Sequence, residues 1–170
     1  HVPDATADRK FESDGTVDRA GVDGLLSELD EYAVEQALQL RESREGEDIE
    51  ITALTVGPEK AVDAVRKALQ MGVDKGVHVT DEGIAGSDYL GTSLVLAKAI
   101  EKLGAEKPVD IVFFGMASTD ASGGVVPAMV AERLIADTAI EIGAIEIGIK
   151  REEDCGLFAH LGRRAAGVLA

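Results

Sequence analysis

The chain has 170 residues, of which 45% are hydrophobic and 29% charged, and this length and balance fit one globular domain with a single core. Its 32 acidic residues outnumber 17 basic ones, for a formal net charge of −15, which disfavours nucleic acid and anionic membranes because both are bound through lysine and arginine. The single cysteine, Cys155, excludes an internal disulfide framework, and no apolar run reaches the roughly 18 residues of a membrane span.

Residues 1–48 hold most of the acidic excess, with 14 acidic and 5 basic side chains, and we interpret this excess as a solubilising surface. Within this stretch an Asp-Gly pair at 14–15 separates two short segments and predicts a hairpin turn. Apolar residues then recur at helical spacing and predict a helix over 30–43. Ser27 or Asp30 is the expected N-cap of that helix.

The middle of the chain alternates buried strands with amphipathic helices. Continuous β-branched and apolar stretches predict the strands, and apolar residues at helical spacing predict the helices that separate them. Pro58 suits the start of the first of these helices and Gly72 its end, and Gly104 is expected to close the second. The predicted elements are strands at 49–56, 77–79 and 109–114 and helices at 59–71, 89–103 and 125–134.

This alternation predicts the fold class. Helices between continuous apolar strands indicate crossover connections, and they favour a parallel sheet covered on both faces. We therefore predict an α/β fold with an open, mostly parallel, doubly wound sheet of the Rossmann-like type. Residues 1–24 are polar and supply no strand before the first helix, so we expect the first strand of the sheet to lie upstream of His1.

The last part of the chain has a different pattern. Residues 139–149 alternate apolar with small or acidic side chains and predict an antiparallel hairpin. Residues 167–170 are expected to begin a further strand. We therefore divide the chain into an α/β part at 1–134 and a divergent β-hairpin tail of the same domain at 135–170.

The loop at 115–124 is the strongest candidate for a binding site. It follows a predicted strand and opens a helix, and ligands of open α/β sheets bind at the carboxyl ends of strands. Backbone N–H groups at a helix N-terminus favour anions such as phosphate, and Ser118, Thr119 and Ser122 add hydroxyl groups. The loop lacks lysine and the P-loop pattern, which disfavours P-loop hydrolysis. A capped loop without a ligand is the alternative, and the residues alone leave both open.

Two helix starts are weaker candidates, Val56-Gly57-Pro58 and the segment Ser27–Asp30, for which a plain helix start is the simpler interpretation. The sequence offers little for catalysis. His78 is interpreted as structural, Cys155 has no activating base in its sequence neighbourhood, and no zinc or calcium spacing occurs. Tyr89 is interpreted as a packing aromatic.

The sequence resembles the β subunit of electron-transfer flavoprotein, most densely over residues 1–134. The ordered series GPEKAVDAVRKALQMGVDKGVHV at 57–79 is the most specific part of the resemblance. Further matching segments are Asp30–Leu38, Leu54–Pro58, Val2–Asp4, and Ser118–Asp120 with Gly124, Pro127 and Ala131-Glu132. The opening strand and the C-terminal segments of the family fall outside 1–170, so the resemblance implies a β subunit truncated at both ends.

The resemblance implies an adenine-nucleotide-binding fold and a function in electron transfer. The implied partner is an α subunit that holds FAD, and the heterodimer carries electrons from dehydrogenases such as the acyl-CoA dehydrogenases of fatty acid oxidation. The implied nucleotide of the β subunit is AMP, or a second FAD in bifurcating members. The resemblance implies an electron carrier rather than an enzyme, with no direct membrane insertion, in the cytoplasm of a prokaryote or, as the alternative, the mitochondrial matrix.

The nucleotide contacts of the family correspond to three segments of this chain, with the phosphate on the backbone of the last. The implied cofactor-binding residues are Ser27, Glu28, Leu29, Asp30, Val56, Asp120, Ala121, Ser122, Gly123, Gly124, Val125 and Val126, and no catalytic or metal-binding residue is implied. Many members of the family have Asn-Pro at 27–28, and Asp, Thr and Gln at 122, 123 and 125.

The residues leave two rival functions open. One is an ATP-binding or adenylate-transferring enzyme of the same fold, and the other is a nucleotide sensor without a redox partner. The loop at 115–124 contains neither lysine nor arginine, which argues against the enzyme, because adenylate transfer needs positive charge where negative charge develops.

Overall fold

The computed structural model describes residues 1–4, 10–18, 21, 23–119 and 122–134, together with the backbone of 139–142, 145–147 and 165–168. The described helices are α1 (Glu28–Ser43), α2 (Val62–Met71), α3 (Tyr89–Glu106) and α4 (Val126–Leu134). The described strands are β1 (Val2–Pro3), β2 (Gly24–Leu25), β3 (Thr52–Val56), β4 (Lys75–Val79), β5 (Ile111–Phe114), β6 (Ala139–Ile142), β7 (Ile145–Ile147) and β8 (Ala165–Val168). Among these helices, none is both long and apolar enough to cross a membrane.

From α1 onward these elements confirm the predicted order of helices and strands, with corrections at their ends, whereas β1 and β2, which pair with each other, are not among the predicted elements. Gly72 ends α2 in the left-handed conformation at φ 116°, as its position predicts. Gly104, in contrast, does not close α3, which continues to Glu106. Pro108 provides the physical reason, because a proline disfavours helical geometry in the residue before it, and Lys107 is extended.

The predicted N-cap of α1 is confirmed at Ser27, one of the two candidates, although its side chain makes no capping hydrogen bond. Asp30 lies inside the first turn of the helix, and its carboxylate accepts a hydrogen bond from the backbone of a distant loop instead. Neither polar side chain therefore makes the capping hydrogen bond that the local sequence predicts.

The main sheet joins six of the described strands in the order β4-β3-β8-β5-β6-β7. The pairs β3–β4, β3–β8, β5–β6 and β5–β8 are parallel, and β6–β7 is antiparallel. The molecule is therefore an α/β protein with a mostly parallel sheet, and the antiparallel pair confirms the hairpin predicted in the tail. The strand expected at 167–170 is β8, which starts at Ala165 and lies between β3 and β5.

Two hydrophobic clusters hold the helices to the sheet. One joins α1 and α2 to inward side chains such as Ile51 and Phe113, and the other joins α3 and α4 to Leu54 and Phe114. Because neighbouring residues of a strand point to opposite faces, the alternation of Phe113 and Phe114 between the clusters places them on opposite faces of the sheet. Their burial fixes the helices whose N-termini surround the carboxyl ends of β3 and β5.

The N-terminal segment contains the predicted hairpin turn. Phe11 and Val17 form an antiparallel bridge across it, and Gly15 has a φ of 84°, in the region that favours glycine. Oδ1 of Asp14 accepts hydrogen bonds from the backbone N–H and the hydroxyl of Thr16, at 2.9 and 2.7 Å. These bonds lower the pKa of Asp14, so the charged carboxylate stabilises the turn.

Candidate functional site

A hydrogen bond between distant parts of the chain connects two of the three predicted segments. The backbone N–H of Gly115, directly after β5, donates to Oδ1 of Asp30 in α1 at 3.1 Å. Gly115 is tightly enclosed, since a Cβ on this residue would lie 2.5 Å from the same carboxylate oxygen. The start of α1 and the loop at 115–124 therefore meet at the carboxyl edge of the sheet.

The carboxyl group of Asp30 is buried in this contact, with only 3% of the residue exposed. Burial raises the pKa of Asp30 to about 6, against the lowering effects of the N–H of Gly115 and the adjacent Ser27 hydroxyl. A buried carboxyl group with a raised pKa is typical of functional sites. At neutral pH, above this pKa, the buried group is mostly a carboxylate.

Two buried hydroxyl groups lie near the same edge. Ser27, at the N-cap of α1, is 1% exposed, and Thr55, next to the end of β3, is fully buried. Neither hydroxyl makes a well-formed hydrogen bond within the described residues, although the Ser27 hydroxyl lies close enough to the Asp30 carboxyl group to lower its pKa. A buried polar group without a partner costs free energy, so these hydroxyls represent hydrogen-bonding capacity that a ligand can use.

The turn after β3 is held by the neighbouring strand. The N–H of Gly57 donates to the carbonyl oxygen of Val79 at 3.0 Å. Nε2 of His78 lies 3.1 Å from the carbonyl oxygens of both Gly57 and Pro58. Because both oxygens are acceptors, Nε2 carries the proton and donates to them. His78 therefore fixes the backbone that follows Val56, in agreement with the structural role that the sequence indicates.

The loop after β5 is partly bonded to itself. The N–H of Ser122 donates to the carbonyl oxygen of Ser118 at 2.9 Å, and the N–H of Gly123 donates to the Ser118 hydroxyl at 3.1 Å. Ser122 has a φ of 54°, which is uncommon for a residue other than glycine. Asp120 and Ala121, both predicted to bind the nucleotide, lie outside the described residues.

The start of α4 supplies the remaining backbone donors of this loop. The N–H of Met129 donates to the carbonyl oxygen of Val125 at 3.1 Å, so the helix begins at this point. The N–H groups of Gly124, Val125 and Val126 have no bond to other described residues. They are therefore the donors that the described part of the loop leaves available to an anion at a helix N-terminus.

The structure also brings residues to this edge that sequence reasoning did not assign to it. Thr55 precedes the predicted contact Val56, and the ring of Tyr89, at the start of α3, lies against Gly123. Tyr89 carries no local signal of this contact, because it lies 34 positions from Gly123 in the sequence. Among the described residues, no group of His, Cys, Asp and Glu is suited to hold a metal ion.

Comparisons with known proteins decide the family. The sequence model of the electron transfer flavoprotein domain matches residues 14–159. The chain belongs to the electron transfer flavoprotein family. It is 44% identical over 167 residues to the electron transfer flavoprotein subunit beta of Mycobacterium tuberculosis strain H37Rv, and 44% identical over 165 residues to that of Mycobacterium leprae strain TN. Each match covers 92% of this chain and 61% of the relative.

A second group of relatives has another name. The chain is 40% identical over 134 residues to the protein FixA of Bradyrhizobium diazoefficiens, a match that covers 78% of this chain and 46% of FixA. The chain thus spans about three fifths of the length of the beta subunits that it matches. The resemblance found in the sequence is confirmed, and in this electron transfer flavoprotein chain the region from Ser27 to Val126 lies wholly inside the family match.

Proposed function

We propose that this chain is part of an electron transfer flavoprotein β subunit that binds an adenine nucleotide and pairs with a FAD-bearing α subunit. The pair carries electrons from dehydrogenases such as acyl-CoA dehydrogenases, as an electron carrier rather than an enzyme, in a prokaryotic cytoplasm or a mitochondrial matrix. The observation that supports this most directly is the bond between Asp30 and Gly115, which joins two of the three segments that the family uses for its nucleotide.

The proposed architecture follows from the same comparison. Residues 1–134 form a nucleotide-binding part with a doubly wound, Rossmann-like sheet, and residues 135–170 form its hairpin tail. The parallel strands β3 and β5, with a hydrophobic cluster on each face, support this assignment. In such a sheet the carboxyl edge is the place where a nucleotide binds, and two of the three segments meet there through the bond between Asp30 and Gly115.

The proposed ligand is AMP, or a second FAD as the alternative. Its phosphate accepts hydrogen bonds from the N–H groups at 124–126, which lie at the start of α4. The carboxylate of Asp30 and the hydroxyl of Ser27 are buried polar groups with capacity for further hydrogen bonds, and Val56 supplies an apolar contact. The FAD held by the α subunit supplies the redox chemistry, and the residues of this chain bind and orient the nucleotide.

The charge of the loop favours binding over group transfer. The described residues at 115–119 and 122–125 include neither lysine nor arginine, so no cation from these positions faces a reacting phosphate. Adenylate transfer requires such positive charge. Backbone N–H groups, in contrast, suffice to hold a phosphate that does not react.

The test is to express the full-length chain with its α subunit, purify the complex and identify the extracted nucleotides by mass spectrometry. We expect FAD together with AMP, or FAD at twice the amount if the second site also holds FAD. Gly124→Pro, which removes one N–H donor and crowds the phosphate position, is expected to lose the AMP but keep the FAD of the α subunit. A complex that holds one equivalent of FAD and no AMP contradicts nucleotide binding by this chain, and the failure of any flavin-bearing chain to co-purify contradicts the electron-transfer role.

A further inference from the structure

The ring of Tyr89 lies directly against Gly123 and fills the space beside it. A Cβ on Gly123 would lie 2.8 Å from Cε1 and from the hydroxyl oxygen of Tyr89, and 2.9 Å from Cζ. A carbon atom cannot lie this close to an aromatic ring unless the ring or the loop is displaced. The aromatic ring of Tyr89 therefore occupies the space that a side chain at position 123 would fill.

The backbone gives no other reason for this glycine. Among the described residues with a left-handed φ, Gly123 does not appear, whereas its neighbour Ser122 does, with a φ of 54°. Any residue can adopt the backbone conformation of Gly123 without the strain that a positive φ causes. A Cβ at position 123 would therefore require the ring of Tyr89 or the loop to shift, and this contact is the local constraint on the residue.

Tyr89 lies at the start of a helix whose position is fixed by hydrogen bonds. It is the first residue of α3, whose N-cap Asp88 accepts a hydrogen bond from the N–H of Gly91 at 2.8 Å. Nε of Arg133 in α4 donates to the hydroxyl of Ser93 at 3.0 Å, which connects α3 to α4. The ring thus extends from a helix that is bonded at its start and is also tied to the helix that follows the loop.

The loop that the ring contacts is irregular. It contains the strained Ser122 and runs directly into the N–H groups of residues 124–126. Tyr89 itself is 42% exposed, so the ring covers the loop from the solvent side. A contact from a fixed helix onto Gly123 restricts the backbone at the point where those N–H groups must be oriented.

We propose that Tyr89 is a positioning residue of the nucleotide site, because its ring holds the loop at Gly123 and thereby orients the N–H groups that bind the phosphate. The proposal rests on the proposed nucleotide binding. It assigns the effect to the ring and not to the hydroxyl group, so phenylalanine should replace tyrosine without loss.

The test is a double-substitution cycle in the full-length chain complexed with its α subunit, with AMP affinity measured by calorimetry after the bound nucleotide has been removed. Tyr89→Ala and Gly123→Ala each disrupt the same contact, and each is expected to weaken AMP binding about fivefold. The double variant is expected to bind about fivefold more weakly than the wild type, rather than the roughly 25-fold that independent effects would give. Tyr89→Phe and the matched control Leu90→Ala, at an exposed neighbour on α3, should stay within about twofold.

Three results overturn the proposal in distinguishable ways. Tyr89→Ala with wild-type affinity shows that the ring does not position the loop, and equal losses in Tyr89→Phe and Tyr89→Ala assign the effect to the hydroxyl. Additive effects of Tyr89→Ala and Gly123→Ala on AMP affinity contradict the shared contact. A wild-type complex that binds neither AMP nor FAD at this site contradicts the proposed function itself. In that case thermal unfolding of the same four proteins still reports whether the two residues are coupled.

Discussion

The two ends of the parallel strands are built differently: the amino edge, where the strands begin, and the carboxyl edge, where they end. At the amino edge, the carboxylate of Asp74 accepts hydrogen bonds from the N–H of Ile51 at 2.8 Å and from Nη1 of Arg41 at 3.0 and 3.1 Å. Nη2 of Arg41 also donates to the carbonyl oxygen of Gly72 at 3.0 Å. One carboxylate and one guanidinium group thus join α1, the end of α2 and the start of β3.

A second pair of charges continues this amino-edge network. Nζ of Lys75 and Nζ of Lys107 lie 3.0 and 3.3 Å from Oε2 of Glu50. The hydrogen bond from Lys75 is the largest effect that lowers the pKa of Glu50. The carboxylates of Asp74 and Glu50 therefore both have partners from the chain itself.

The carboxyl edge has the opposite character. Two buried hydroxyls, those of Ser27 and Thr55, make no well-formed hydrogen bond among the described residues, Asp30 has a raised pKa, and Ser122 has a strained φ. Local strain and unused polar groups concentrate at functional sites, where a ligand compensates for them. Polar contacts at the amino edge thus add to the stability that the hydrophobic clusters provide, while the carboxyl edge keeps buried polar groups that a ligand can use.

The largest expected effect comes from breaking the amino edge. Asp74→Ala removes the acceptor of the Ile51 N–H and the partner of Arg41, and is expected to lower the free energy of unfolding by about 3 kcal/mol. Urea unfolding measures the loss. Asp63→Ala, which removes an exposed ion pair with Arg66, is the control and should cost less than about 1 kcal/mol. A similar cost for both variants would mean that the amino edge has no special role in stability.

The second-largest expected effect comes from removing the buried charge of Asp30 at the carboxyl edge. The pKa of Asp30 is about 6 in the folded chain and about 3.9 when unfolded. The native state therefore binds more protons between these values, and the free energy of unfolding falls as pH rises through this window. Asp30→Asn keeps an oxygen acceptor for Gly115 without the charge, and should raise the free energy of unfolding by about 2 kcal/mol at pH 7.5.

The pH dependence provides the check on Asp30. Near pH 3.5 the carboxyl group is protonated in both states, so wild type and Asp30→Asn should be about equally stable. Urea unfolding at the two pH values measures the difference. A variant that is less stable than the wild type at pH 7.5 would show that the ionised carboxylate stabilises the fold, and the contrast between the edges would then be weaker.

The sequence predicts elements well where their signals are local. Continuous apolar residues define β3 and β5, and Gly72 marks the end of α2 through its own conformational preference. Such signals depend only on neighbours in sequence, which is why their positions agree with the structure to within a few residues. The family resemblance likewise rests on contiguous runs such as 57–79.

Contacts between distant residues could not be predicted in the same way. Asp30 accepts a hydrogen bond from Gly115, which lies 85 positions away in the sequence. Local rules predict instead that its carboxylate accepts from an N–H in the first turn of its own helix. Nothing in the short segment Ala165–Val168 indicates that β8 lies between β3 and β5. The contact of Tyr89 with Gly123 depends on how α3 and the loop pack together, and a pair of glycines at 123–124 is compatible with many other neighbours.

A smaller effect concerns the strain in the loop. Ser122→Gly removes the cost of a positive φ in a residue with a Cβ, which is roughly 1 kcal/mol, although glycine also increases the freedom of the unfolded chain. We expect a net gain in stability below about 1 kcal/mol, measured by thermal unfolding. Ser122→Ala, which keeps the Cβ, is the matched control and should give no gain. A clear loss of stability in Ser122→Gly would mean that the side chain stabilises the loop.

The smallest expected effect tests the turn after β3. His78 donates from Nε2 to the carbonyl oxygens of Gly57 and Pro58, and this bond fixes the backbone beside Val56. His78→Phe keeps a ring without the donor and is expected to weaken AMP binding about threefold, because a hydrogen bond of this kind contributes roughly 0.6 kcal/mol. His78→Gln keeps an N–H donor of similar reach and should restore most of the affinity. Asp81→Ala, which affects only the next turn through Gly83, is the control.

The two His78 variants separate the hydrogen bond from simple packing. If the donor matters, calorimetric titration of the complex with AMP should rank the wild type and His78→Gln together, ahead of His78→Phe. If only the volume of the ring matters, His78→Phe should bind AMP like the wild type and His78→Gln more weakly. That second order would remove His78 from the support of the nucleotide site. The difference between the edges would then depend on Ser27, Asp30 and the loop after β5, where the strained and unpartnered groups lie.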